Sequence, residues 1–387
     1  MLTQKRYVWL VFFLACAWTC SVKGGEAFRY PEGKQGQGEL RNINGIPVLS
    51  VTGNASEIGE DVGTLALRHA RRLSHYPKDL LAFFGADWTW PTLLGMGKKM
   101  MPQIPASYRQ ELEVMSSASG VDMELLIAGN TFFDIKKMFA CSAILVEPSH
   151  SKSGKVLFGR NLDFPSMGYL HLYSLVTVYH PKGKFAFVSI GFPGMIGCLT
   201  GMNEKGLCLA INEVYSGGDR SASFDAKGIP YAVCIREMLE ECSSIQEALK
   251  WLKKRPRTTC YNLSIADQQQ VGVLEVTTQN VVFRPANQGV CTVTNHFLSK
   301  ELALPKQNNI YDTLDRLAKL DEHRGNGLLD VAEVARALHK ANLGQLTLQT
   351  IVFEPSELTL HLAIGQTPSS ALPLKKIDCR SLLKSTQ

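Results

Sequence analysis

Two strand-like runs joined by a short polar segment constrain this chain more than any other feature in it. The first is Phe139-Ala140-Cys141-Ser142-Ala143-Ile144-Leu145-Val146-Glu147, and the second is Lys155-Val156-Leu157-Phe158-Gly159-Arg160-Asn161-Leu162-Asp163-Phe164. Short apolar runs bounded by turn residues read as buried strands, and two in succession read as a hairpin. Because side chains alternate along a strand, folding the second run back onto the first returns Arg160 and Asp163 to the neighbourhood of Cys141. A cysteine that opens a strand beside two charged groups is a candidate nucleophile.

The 387-residue chain as a whole can support such a site. At 45% hydrophobic and 20% charged residues it is long and apolar enough for one large core or two ordinary ones. Its formal charge of +6 is spread along the chain, so nothing points to nucleic acid. Lys5-Arg6, the apolar stretch from Tyr7 to Ala17 and the small residues after it read as a secretory signal over 1–21. Export to a secreted or periplasmic location is therefore expected. Leu14-Ala15-Cys16 resembles a lipoprotein site, and a membrane contact is expected only if this segment is lipidated or left uncleaved. Beyond the signal lie Cys141, Cys198, Cys208, Cys234, Cys242, Cys260, Cys291 and Cys379. Most sit inside apolar runs, where a buried free thiol is the ordinary expectation. No spacing of Cys and His suggests a metal site, and no cofactor is expected.

Residues 28–41, rich in Gly, Gln and Lys, read as an exposed connector, followed by a strand over 46–51. Asn54 with Glu57 forms a capping box for a helix that Pro77 is expected to stop. Ser107 with Gln110 starts another helix that Gly120 closes, and Asp122 caps the helix leading to Cys141. Beyond Cys141 the pattern turns to strands, with a hairpin about Pro181-Lys182-Gly183 and a tight turn at Asn203-Glu204-Lys205-Gly206. Two helices over 229–254, a run of strands to Thr294, two more helices over 309–341 and a closing hairpin complete it. Pattern alone supports a mixed α+β class with antiparallel sheets.

Cys141-Ser142 followed by Gly159-Arg160-Asn161-Leu162-Asp163-Phe164 resembles the core of N-terminal-nucleophile (Ntn) hydrolases of the choloylglycine hydrolase and penicillin V acylase group. The resemblance is closer to their relatives, the isopenicillin-N acyltransferase-like proteins, because Glu57-Ile58-Gly59-Glu60-Asp61-Val62-Gly63 and the helix leading through Gly120-Val121 to Asn130 also match. The segment Asn203-Glu204-Lys205-Gly206 is a second shared signature. The resemblance implies a four-layer αββα sandwich with a helical leader over 22–140 and a catalytic chain over 141–387. It also implies autocatalytic cleavage between Ala140 and Cys141, after which the cysteine's own α-amine serves as base.

The chemistry of these residues suits that role. A thiol near pKa ~8.5 is mostly protonated at neutral pH, whereas a freed α-amine at about 7.7–8 is a base on the same residue. By the resemblance, Arg160 favours the thiolate, Asp163 holds the amine, and Asn295 with Asn212 supplies the polar groups for a tetrahedral oxyanion. Arg316 is the nearest candidate for a late supporting arginine. The substrate implied is a small linear N-acyl amide, hydrolysed or relieved of its acyl group through a thioester on Cys141. Two other classes stay open. A papain-like thiol protease would pair Cys141 with His296, although a cysteine at a helix start would then be expected. A non-catalytic binding protein of the same fold would keep the core and never cleave.

Overall fold

A computed structural model describes residues 28–384, so the segment read as an export signal lies outside the described residues. The stretch expected to be a connector is instead a pair of strands. β1 (Gly33–Gln35) pairs antiparallel with β2 (Gly38–Ile43), and β2 pairs with β3 (Ile46–Gly53). Half-exposed edge strands of this kind carry little hydrophobic alternation, and the ladder offered by β3 is what orders them.

The leader's helices follow. In α1 (Ala55–Val62) the Asn54 side chain accepts from Glu57 N–H while Glu57 reaches back to Asn54 N–H, the reciprocal box its sequence implies. Pro77 does not stop a helix; it sits in the first turn of α2 (Tyr76–Phe83), where a missing N–H costs nothing. α3 (Ala106–Ser119) ends at Gly120 with φ of 71°, and α4 (Met123–Ile135) starts under the Asp122 cap.

The expected hairpin is β4 (Ala140–Val146) with β5 (Leu157–Asp163). Next come β6 (Leu175–Pro181), β7 (Phe187–Gly191), β8 (Thr200–Asn203) and β9 (Cys208–Glu213), then α5 (Tyr231–Glu241) and α6 (Ile245–Lys253). β10 (Tyr261–Ala266), β11 (Val271–Val276), β12 (Val281–Pro285) and β13 (Val290–Val293) precede α7 (Thr313–Asp321) and α8 (Val331–Lys340). β14 (Thr347–Glu354), β15 (Thr359–Ala363) and β16 (Lys375–Asp378) close the chain.

These strands make two sheets. One has ten strands in the order β1-β2-β3-β6-β7-β8-β9-β10-β11-β12, and the other six in the order β13-β4-β5-β14-β15-β16. Ala143, Leu145 and Phe158 of the smaller sheet pack against Val188, Met202 and Ala210 of the larger one, so the two sheets lie face to face. On its outer face the larger sheet meets helices through Leu209, Ile211 and Leu263 against Met238, Leu239 and Ala248. The smaller sheet does the same through Ile144, Val146 and Val352 against Val334, Ala337 and Leu338 of α8. The architecture is therefore a four-layer αββα sandwich of the α+β class.

The leader belongs to that sandwich. β3 pairs parallel with β6, the one parallel ladder among the described strands, and so places three leader strands in the larger sheet. Beneath them, Glu111 of α3 grips Arg236 of α5 with two bonds of 2.8 Å, both side chains being 1–2% exposed. Arg236 also bonds Glu240 and the carbonyl of Ile196. All eight cysteines among the described residues are free and buried.

Candidate active site

The site lies where the β4–β5 hairpin ends between the sheets. Cys141 shares a face of β4 with Ala143 and Leu145, and Arg160 shares a face of β5 with Phe158; both point into the gap between the sheets. Arg160 Nη2 lies 2.9 Å from Cys141 Sγ and 3.0 Å from the carbonyl of Ile211, while Nη1 bonds Thr200 Oγ1. On the other side of β5 the helix α8 comes so close that a Cβ on Gly159 would collide with Val334, which explains a glycine immediately before Arg160.

Asp163 lies on the opposite face of β5. Its Oδ1 accepts from Thr347 Oγ1 at 2.5 Å, and its buried Oδ2 has no hydrogen-bond partner among the described residues, with Arg316 Nη1 3.8 Å away. Burial pushes this carboxyl up to about 6, against the opposing pull of Arg316, Thr347 and Arg160. A carboxylate oxygen that lacks a hydrogen bond and lies level with the Ala140–Cys141 bond suits a cationic α-amine.

Asn295 and Arg316 converge on the backbone of Cys141, one at its N–H and the other at its carbonyl. Asn295 Oδ1 accepts from Cys141 N–H at 3.0 Å and from Arg316 Nη2 at 2.7 Å, and its Nδ2 donates to the carbonyls of Glu213 at 2.9 Å and Phe139 at 3.4 Å. Arg316 further donates to the carbonyls of Cys141 at 2.8 Å and Tyr311 at 2.9 Å. The arginine that sequence ranked lowest is thus among the most connected residues of the site. Asn212 follows Ile211 on β9 and accepts from Ser264 Oγ at 3.1 Å; its Nδ2 is buried and without a partner among the described residues. No hydrogen bond joins Asn212 directly to Cys141, Arg160 or Asp163 among those described.

Glu213 is the site residue that sequence reasoning passed over. Its Oε2 accepts from Phe139 N–H at 2.8 Å and its Oε1 from Tyr231 at 3.2 Å. Burial pushes it up to about 8, with Phe139 N–H, Lys137 and Tyr231 opposing. A glutamate ending an apolar strand was the available signal. His296, by contrast, faces Thr294 Oγ1 at 3.2 Å and Thr313 Oγ1 at 2.9 Å through Nδ1, and burial lowers it to about 4.

The Cys141 thiol is pushed up by burial, with Arg160 pulling the other way, so in the uncleaved chain it is held protonated. The arrangement is a buried thiol with a cation at its sulfur, a carboxylate oxygen without a hydrogen-bond partner nearby and an asparagine on the peptide that precedes it.

This sandwich, with a buried thiol held against an arginine, is the arrangement that the resemblance to Ntn hydrolases implied. The family described as acyl-coenzyme A:6-aminopenicillanic acid acyl-transferase matches over residues 149–369, and the chain belongs to it. The protein dcd1A of Dictyostelium discoideum is 27% identical over 218 residues, 54% of this chain and 47% of that protein. Acid ceramidase of Rattus norvegicus is 26% identical over 174 residues, 40% of this chain and 43% of the ceramidase. The chain spans about half the length of the curated relatives it matches first. Among solved structures, penicillin V acylase from Agrobacterium tumefaciens is 15% identical with a TM-score of 0.46, covering 62% of this chain and 86% of that one.

Proposed function

We propose that this protein is an exported, self-processing thiol amidohydrolase or acyltransferase that acts on a linear N-acyl amide through an acyl-thioester on Cys141. The observation that carries this reading is the Ala140–Cys141 peptide itself. Its thiol lies against Arg160, and Oδ2 of Asp163, which has no hydrogen-bond partner among the described residues, lies level with the bond. Asn295 binds the N–H of Cys141 and the carbonyl of Phe139, one on each side of Ala140.

In the first stage the Cys141 thiol adds to the Ala140 carbonyl and the peptide nitrogen leaves as an amine. Water then hydrolyses the resulting thioester, freeing the Ala140 carboxylate and an N-terminal Cys141. In the second stage the new α-amine takes the thiol proton as the sulfur adds to the substrate's carbonyl. The same amine returns that proton to the departing nitrogen, leaving the acyl-thioester. Water, or an acceptor amine, completes turnover. Arg160 favours the thiolate and Asp163 pairs with the amine when it is charged. Asn295 Nδ2, no longer held by Phe139 once the leader end moves away, is the donor for the oxyanion.

An N-acyl amide is supported by the family's acyl-transfer chemistry and by the similarity to a ceramidase, whose name gives ceramide as its substrate. Export rests on the composition of residues 1–21. The test is intact-mass analysis of purified protein, followed by trapping of the acyl-thioester with a panel of N-acyl amides. Wild type should yield a leader and a fragment beginning Cys-Ser-Ala-Ile, and Cys141→Ala should stay one chain. A single full-length species that nonetheless turns over substrate would refute the α-amine mechanism.

A further inference from the structure

The β13–β4 ladder stops at Val293 opposite Ala143, two residues short of Cys141. Thr294, Asn295 and His296 therefore continue past the last strand pairing, yet Asn295 must be placed to within a fraction of an ångström to serve the site. Something other than the sheet ladder holds them.

That support comes from the facing sheet. Asn262 lies on β10, paired with Asn212 on one side and Glu275 on the other, and is fully buried. Its Nδ2 donates to the carbonyl of Thr294 at 3.2 Å and to that of His296 at 2.9 Å, so one amide grips the backbone immediately before and after Asn295. From the helix layer, Thr313 Oγ1 accepts the N–H of Asn295 at 2.9 Å and the Thr313 carbonyl accepts from Thr294 Oγ1 at 3.0 Å. Glu275, the strand neighbour of Asn262, binds two further backbone N–H groups of the loop, those of Leu298 and Ser299, each at 3.0 Å. The Asn295 side chain is thereby left free to face Cys141 and Arg316.

We propose that Asn262 is the positioning residue for Asn295: a side chain from the larger sheet that sets where the polar group of the smaller sheet stands relative to the Cys141 sulfur. This rests on the role given to Asn295 above. Two features separate it from ordinary core polarity. Both Nδ2 hydrogens are committed to carbonyls that bracket a single residue, and the bonds cross from one sheet to the other rather than along a ladder.

The experiment compares Asn262→Ala and the isosteric Asn262→Asp, alone and combined with Asn295→Ala, with rates normalised to the processed fraction counted by intact mass. Misplacing a reacting group by about an ångström costs about 10²-fold. Each single variant should accordingly lose about 10–10² in kcat with KM within about twofold. In the Asn295→Ala background, neither Asn262 substitution should cost more than about twofold further. Losses that multiply in the double variant, or a KM that rises while kcat is kept, would overturn the proposal. A crystal structure of Asn262→Asp gives a readout independent of the reaction: Asn295 should be displaced, and an unmoved Asn295 overturns the positioning role. If wild type neither cleaves itself nor turns over an acyl amide, the acyl-transfer reading fails while this structural readout still decides the clamp.

Discussion

The ion pair between Glu111 and Arg236 joins α3 to α5, and Glu111→Gln is the perturbation that measures it. In the native arrangement the Arg236 guanidinium is 2% exposed, receives both oxygens of Glu111 and bonds Glu240 and Ile196 besides. Burial alone would drive the charge off Arg236, but the two carboxylates more than offset that and hold it cationic. Glutamine keeps the volume and one acceptor while removing a negative charge, so the cation is left with Glu240 as its remaining buried counterion. Breaking one partner out of a buried pair costs about 3–5 kcal/mol, and because an acceptor survives the lower end is expected, about 3 kcal/mol. That is a change of about a hundredfold or more in the ratio of folded to unfolded chain. Urea unfolding of Cys141→Ala, which is expected to remain one chain, with and without Glu111→Gln gives the difference at constant denaturant slope. A loss below about 1 kcal/mol, the range of exposed ion pairs, would show that this contact does not hold the layers together.

Three further outcomes follow from the site. Asn295→Ala should lower kcat by about 10²–10³ with little change in KM, as removal of an oxyanion donor does, and steady-state kinetics on processed protein checks it. His296→Gln should keep most activity, because the ring faces Thr294 and Thr313; abolished turnover in folded, processed protein would revive a thiol–imidazole pair. Glu213, raised to about 8 by burial, binds its proton more tightly folded than unfolded. Its contribution to the stability of the uncleaved chain is therefore present at acidic pH and lost as pH rises between about 4.5 and 8. Comparing Cys141→Ala with Cys141→Ala/Glu213→Gln, the glutamine variant should gain relative stability across that window; parallel unfolding midpoints from pH 4.5 to 8 would contradict it.

Much of this was legible because it is local. A period of two and a polar turn suffice to predict the β4–β5 hairpin, and hence Arg160 next to Cys141. Asn54 with Glu57 and Gly120 in the left-handed region are decided by backbone groups within a few residues. The failures have long-range causes. β1 and β2 have weak alternation and depend on β3, so their sequence read as a connector. Pro77 sits in the first turn of a helix rather than at the end of one, and which of the two it does depends on whether the following residues have a core to pack on. Arg316 meets Cys141 across 175 residues of chain and Glu213 meets Phe139 across 74, contacts that no spacing rule encodes; the motif brought Arg316 forward only weakly and left Glu213 unnoticed.

The parallel pairing of β3 with β6 has a consequence for the life of the molecule. On the proposed cleavage, the larger sheet would be stitched from two separate polypeptides, with its seam running between interior strands rather than at an edge. An intact precursor closes that seam as a unimolecular event, at an effective concentration set by its own backbone. A nicked protein that has once unfolded would have to find its missing strands in solution. Folding would thus be possible before activation and not readily repeated after it, so the active form would persist by the slowness of its opening rather than by an equilibrium it could re-establish. Refolding yield should then depend on protein concentration for the processed form and not for Cys141→Ala.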